Sequence, residues 1–195
     1  MRLLWALCLI ALCAGPVSAQ TVQGITLGAP IPEGLPPSDD TQTQAPFTRT
    51  FWSALNGLQV TAIADSETGG VHFIELRPAT REGGETPIEG IRFGETTQAD
   101  LHRRFGSEGI VFANVGRAGV FGDVAAYFTS YELTDVDVVV SFTTIEPLAE
   151  AGADSAAQSV LDSVVVAEGP YLNQVWGINR GRLPGYGRIE DPFAN

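Results

Sequence analysis

The sequence predicts an α+β fold: an antiparallel β-sheet with few short helices, arranged as two related units in one domain. Each unit is a helix or loop followed by three strands. Three observations carry this. The segment Val22-Gln23-Gly24-Ile25-Thr26-Leu27-Gly28 returns 66 residues later as Ile88-Glu89-Gly90-Ile91-Arg92-Phe93-Gly94, with three identities and three pairs of like character. Each copy leads into runs in which apolar and polar residues alternate, the period of a half-buried strand. The chain has 195 residues, 44% of them hydrophobic and 17% charged, which is ample apolar material for one core.

Residues 1–19 read as a secretory signal peptide. Arg2 gives a positive start, residues 3–14 are an unbroken apolar run, and Val17-Ser18-Ala19 is a small-x-small cleavage site. A membrane span needs about 20 apolar residues, and Gly15-Pro16 ends this run earlier. Cleavage near Ala19 sends residues 20–195 to the bacterial periplasm or the medium, with no stable membrane insertion afterwards. Cys8 and Cys13 both lie in the removed segment, each preceded by leucine where a lipobox has a small residue. The remaining domain has no cysteine, hence no disulfide and no thiolate chemistry, and its core must hold the fold unaided.

The first unit spans about residues 20–78. Prolines 30, 32, 36 and 37 forbid a regular helix after the first copy of the repeat. Residues 47–53 and 58–64 flank Asn56-Gly57, a hairpin signal, because both central positions of a type I′ turn need positive φ. A turn at 65–70 leads to a third strand at 71–76. Residues 78–87 form a linker.

The second unit spans about residues 88–176. Thr96 or Thr97 caps a short helix, with Glu95 and Asp100 complementing its positive end. Leu101 and Phe105 share one face, and Gly106 suits the left-handed position beyond the last turn. Strands are expected at 109–113, 124–133 and 135–144, the last with Val136, Val138, Val140 and Phe142 facing one way. Residues 147–159 read as helix or loop and 160–167 as a strand, because Val164-Val165-Val166 is a β-branched run. Tyr171, Leu172, Val175 and Trp176 suit a last helical turn, and the tail 177–195 reads as irregular.

The stretch from Ile91-Arg92-Phe93-Gly94-Glu95-Thr96 through Leu101-His102-Arg103-Arg104-Phe105-Gly106 resembles the opening of the SmpA/OmlA (BamE-like) envelope modules. The tandem β-lactamase-inhibitory-protein fold is similar to these. The resemblance implies a short helix on a small antiparallel sheet and action by binding other proteins. This chain departs from it in lacking a lipobox, in having no cysteine after residue 19, and in the prolines of its first unit. No individual functional residue is carried over.

Composition narrows the function. The chain carries 11 Lys+Arg, all arginine, against 23 Asp+Glu, a net charge of −12. Such a balance disfavours nucleic acid and anionic membrane surfaces, both of which are bound through basic side chains. Only two histidines are present, and neither His72 nor His102 sits in a catalytic or metal-ligand motif, so no catalytic, cofactor or metal residue is assigned. His72 is expected on the strand face of Ile74 and Leu76. The tail concentrates Arg180, Arg182 and Arg188 near Trp176 and Tyr186. Those five residues are the candidate partner-binding set, an arm with aromatic anchors. The commoner role of such a segment, docking back on the acidic body or forming a mobile end, outweighs the arm. The expected function is a non-enzymatic module that binds another envelope or periplasmic protein by sheet surface or edge. Two readings compete: a carboxylate-based hydrolase of envelope carbohydrate drawing on Glu75, Glu132, Glu146, Trp52, Tyr127 and Tyr131, and a small-ligand carrier using the cleft between the units.

Overall fold

The computed structural model describes residues 20–80, 82–152 and 154–194; the expected signal peptide, with Cys8 and Cys13, lies outside them. Three short strands open or separate the units: β1 (Thr21–Val22) pairs with β2 (Ile25–Thr26), and a polar β3 (Asp40–Gln44) follows. The first meander is β4 (Phe47–Leu55), β5 (Leu58–Asp65) and β6 (Val71–Pro78). A small ladder, β7 (Gly84–Glu85) with β8 (Arg92–Phe93), replaces the expected plain linker. Then come α1 (Gln98–Phe105), β9 (Ile110–Phe112) and β10 (Ala118–Phe121). The second meander is β11 (Val124–Glu132), β12 (Val138–Pro147) and β13 (Val160–Glu168), and the chain closes with α2 (Gly169–Trp176) and β14 (Arg180–Arg182).

Among the described residues, ten strands form one sheet in the order β14-β9-β11-β12-β13-β6-β5-β4-β3, with β10 also on β11. Every strand pair named in it is antiparallel. The two meanders meet through their third strands, with Val164 opposite Leu76 and Val166 opposite Ile74.

Local chemistry explains the elements the sequence announced. Asn56 and Gly57 hold φ of 50° and 83°, so the β4–β5 turn takes the twist that matches its strands. Thr97 caps α1: its hydroxyl accepts from the Asp100 N–H, and its own N–H donates to the Asp100 carboxylate at 3.0 Å. Gly106 ends the helix in the left-handed region at φ 65°. Pro170 stands in the first turn of α2, where its missing N–H costs nothing.

Four expectations needed correction. β3 lies in the Pro-rich stretch. It is an edge strand of Asp, Thr and Gln that is polar on both sides, so it gives no alternation to read. β10 was not expected, although the Gly122-Asp123 turn joins it to β11 in a tight hairpin. β12 starts at Val138 rather than 135, because Asp135 adopts φ 61° and belongs to the turn. It is also buried on both faces, being central in a sheet with both sides packed. Finally, a bulge between Ile63 and Ala64 pairs Phe73 and Val71 with neighbouring residues, leaving His72 as the extra one. His72 consequently packs with Phe47 and Tyr171, away from Ile74 and Leu76.

The two faces of the sheet are treated differently. One face is sealed. Trp52, Val60, Ile74, Leu76, Val140, Phe142 and Val164 pack against Ile25, Leu27, Ile91, Phe93 and Leu101 from outside the sheet, and Ile189 of the tail joins them. The other face carries a smaller cluster of Ile110, Phe112, Val139, Val165 and Ala167, covered by Tyr171 and Leu172 of α2. Part of that second face is left open.

Candidate binding face

On the open face a cleft of about 390 Å³ lies beside α2. Its floor crosses four strands: Phe73 and Glu75 of β6, Val165 of β13, Thr143 and Ile145 of β12, and Ala126 and Phe128 of β11. Phe121 of β10 and Trp176 of α2 wall it. The cleft therefore spans the seam between the two meanders. Two apolar side chains on this side are turned to solvent: Phe121 of the cleft wall is 60% exposed and Val175 of α2 42%. Phe121 and Phe128 meet edge to face at 6.4 Å, which holds the hairpin wall upright.

One end of the cleft is charged. Arg77 donates to Asp162 at 2.8 Å and to Glu75 at 3.1 Å. Asp162 reaches this position through a bulge: Thr143 pairs with Ser163 while Thr144 pairs with Leu161, so Asp162 is the extra residue. The neighbouring Ser163 hydroxyl is buried with no hydrogen-bond partner among the described residues.

The five tail candidates do not form one surface. Trp176 lines the cleft and packs edge-on to Phe112 at 5.3 Å. Arg180 is tied down, donating to Glu132 at 2.6 Å, to Asn173 at 2.9 Å and to the Gly169 carbonyl at 2.9 Å. Its side chain and that of Glu132 are each 15% exposed. Tyr186 donates to the second Glu132 oxygen at 2.5 Å. Burial works against ionising Glu132, but the bonds from Tyr186 and Arg180 outweigh it and hold the carboxyl below its usual range. Arg188 donates to the Leu133 carbonyl at 3.3 Å, and exposed Arg182 stacks on the Tyr186 ring at 4.6 Å. The tail, expected to be irregular, pairs as β14 with β9 and is fastened to the body.

The carboxylates and aromatics weighed for glycoside chemistry are scattered. Glu132 serves the tail, Glu146 accepts from Tyr127 and Ser155, and Glu75 is bound to Arg77. Trp52 is in the sealed core with its indole N–H on the Pro36 carbonyl, and Tyr131 is buried there with its hydroxyl on the Ser107 carbonyl. His72 Nδ1 lies 2.6 Å from Glu168 Oε2, while His102 Nε2 is 3.5 Å from the Thr129 hydroxyl. Neither histidine's hydrogen bonds include a serine, so no Ser-His-acid set is assembled among the described residues. Burial lowers the His102 pKa, which favours the neutral ring. Among the described residues, no cluster of three His, Cys, Asp or Glu could hold a metal ion, and no helix is long and apolar enough to cross a membrane.

Sequence reasoning singled out Trp176 and, for a different chemistry, Glu75, and missed the rest of the cleft. The available signal was the alternation Phe73, Glu75, Arg77 along one strand, which puts two charges and a ring on the face opposite Ile74 and Leu76. No family model, curated protein or solved structure matches the chain.

Proposed function

We propose that this protein is an exported, non-enzymatic module of the bacterial periplasm that holds another envelope protein against the open face of its sheet. One observation carries the reading: one face of the sheet is sealed by repeat segments, helix and tail, while the other keeps solvent-facing Phe121 and Val175 beside a cleft. Apolar side chains gathered in this way mark interaction sites more often than bare surface. Trp176 is the anchor retained from the tail set. Arg180, Tyr186 and Arg188 act indirectly, by fastening the segment that follows α2.

The proposal extends to the origin of the sheet as a duplication. Gly28 N–H donates to the Val71 carbonyl at 2.7 Å, and Gly94 N–H, 66 residues on, donates to the Leu161 carbonyl at 2.8 Å. Val71 is the first residue and Leu161 the second of the third strands of their meanders. Val22, Ile25 and Leu27 are buried in the same core as Ile88, Ile91 and Phe93. Leu35 packs there without a helix, as Leu101 does from α1. The resemblance to SmpA/BamE-like modules points to the same class of action.

The test is co-purification of the exported chain after in-cell crosslinking. Phe121→Asp and Val175→Asp are expected to lose one defined envelope protein that Arg104→Asp, on the sealed side, retains. Equal recovery from all three variants would overturn the reading.

A further inference from the structure

The cleft is more selective than an apolar patch. Its walls and floor are Phe73, Phe121, Phe128, Val165, Ile145 and Trp176, and its charged end is the Glu75–Arg77–Asp162 cluster. At roughly 30 Å³ for a water-sized group, its volume of about 390 Å³ admits a body of roughly a dozen heavy atoms. That lies within the size range of small-molecule sites, about 300–1,000 Å³.

The charge at the end decides what fits there. Two carboxylates, each 24% exposed, face one guanidinium that is 46% exposed, so the cluster keeps one net negative charge. Arg77 uses Glu75 Oε1 and Asp162 Oδ2, which leaves Glu75 Oε2 and Asp162 Oδ1 with no donor among the described residues. Carboxylate oxygens only accept hydrogen bonds, so the complementary group is a cationic donor. The chain's overall charge of −12 adds to the preference for cations over anions.

We propose that the cleft is a site for a small cationic amphiphile, an aliphatic or aromatic body ending in a single ammonium or guanidinium group. The body lies between Phe128 and Trp176 over Val165. The head group donates to Glu75 Oε2 and Asp162 Oδ1. The site works in the isolated chain and does not depend on capture of a protein partner.

The test is calorimetric titration of the exported chain, residues 20–195, at low salt with n-octylamine, octanoate and 1-octanol, which share a chain length and differ in head charge. Octylammonium is expected to bind at least about tenfold more tightly than octanoate, with octanol between them. Binding shifts Trp176 emission; the shift disappears in Trp176→Phe, because Trp5 is absent from the exported chain and Trp52 lies on the sealed face. In the Glu75→Gln/Asp162→Asn double variant Arg77 loses both partners, and the order inverts in favour of octanoate. Thr143→Phe fills the floor and weakens all three probes about tenfold. Octanoate binding as tightly as octylammonium to the native chain would overturn the proposal. So would octylammonium affinity that is unchanged in folded Thr143→Phe, since the ligand would then be elsewhere.

Discussion

The two faces of one sheet carry the same strands and have different roles. Alternate residues of β12 show it: Val138, Val140 and Phe142 enter the large sealed core, while Val139 enters the small cluster under α2 and Thr143 lies in the open cleft. The sealed face is covered by segments from both halves of the chain, including β1, β2, β8 and α1. Among the described residues, the open face is covered by α2 and the fastened tail, and these reach part of it. Stability therefore resides mainly on one side, which leaves the other free to keep apolar groups in water.

The largest expected difference between the faces is in cavity cost. Phe93→Ala, in the sealed core, is expected to lower unfolding free energy by about 3–5 kcal/mol in denaturant titration. Next is the tail fastening. Arg180→Ala leaves Glu132 buried without its cation and should cost about 3 kcal/mol. The pH dependence has a defined sign. The folded carboxyl of Glu132 is held below its unfolded value, so its stabilisation is present above that unfolded value, about 4.3, and is lost as pH falls through the folded one. Glu132→Gln removes this acid-sensitive part, and melting followed from pH 6 down to pH 3, roughly the window where carboxylates titrate, would show a shallower loss. Smaller still is Ser163→Ala, which deletes a buried hydroxyl with no partner among the described residues and should raise stability by about 1 kcal/mol. Smallest is Phe121→Ala on the open face, expected within about 0.5 kcal/mol of the parent. A large loss at Phe121 would mean that the open face also supports the fold.

The same contrast shows what was legible in the sequence. Features fixed by local chemistry were readable: the Asn56-Gly57 hairpin, the Thr97–Asp100 cap, the Gly106 stop and the β-branched run of β13. Features set by tertiary context were not. A bulge turned His72 to the other face, and another brought Asp162 to Arg77, 85 residues away in sequence. β12 read as half-buried because its open-side residues, such as Ser141 and Thr143, are polar; Ser141 is buried by pairing its hydroxyl with that of Ser130 at 2.8 Å. The arginine-rich tail admitted two readings, docking back on the acidic body or an arm for a partner, and its charge is spent largely within the molecule, on Glu132 and the Leu133 carbonyl. Of the cleft, Trp176 stood out by residue type. Glu75 stood out only as a carboxylate for hydrolysis, and Phe73, Phe121 and Phe128 looked like ordinary strand residues until the sheet order set them together.

The most direct measurement places a photo-crosslinking residue at one position at a time in the exported protein, at 121 and 175 on the open side and at 89 and 104 on the sealed side. The account predicts a single discrete adduct with one envelope protein from 121 and 175 and none from 89 and 104. Adducts of equal yield from both sets, or from 89 and 104 alone, would contradict it.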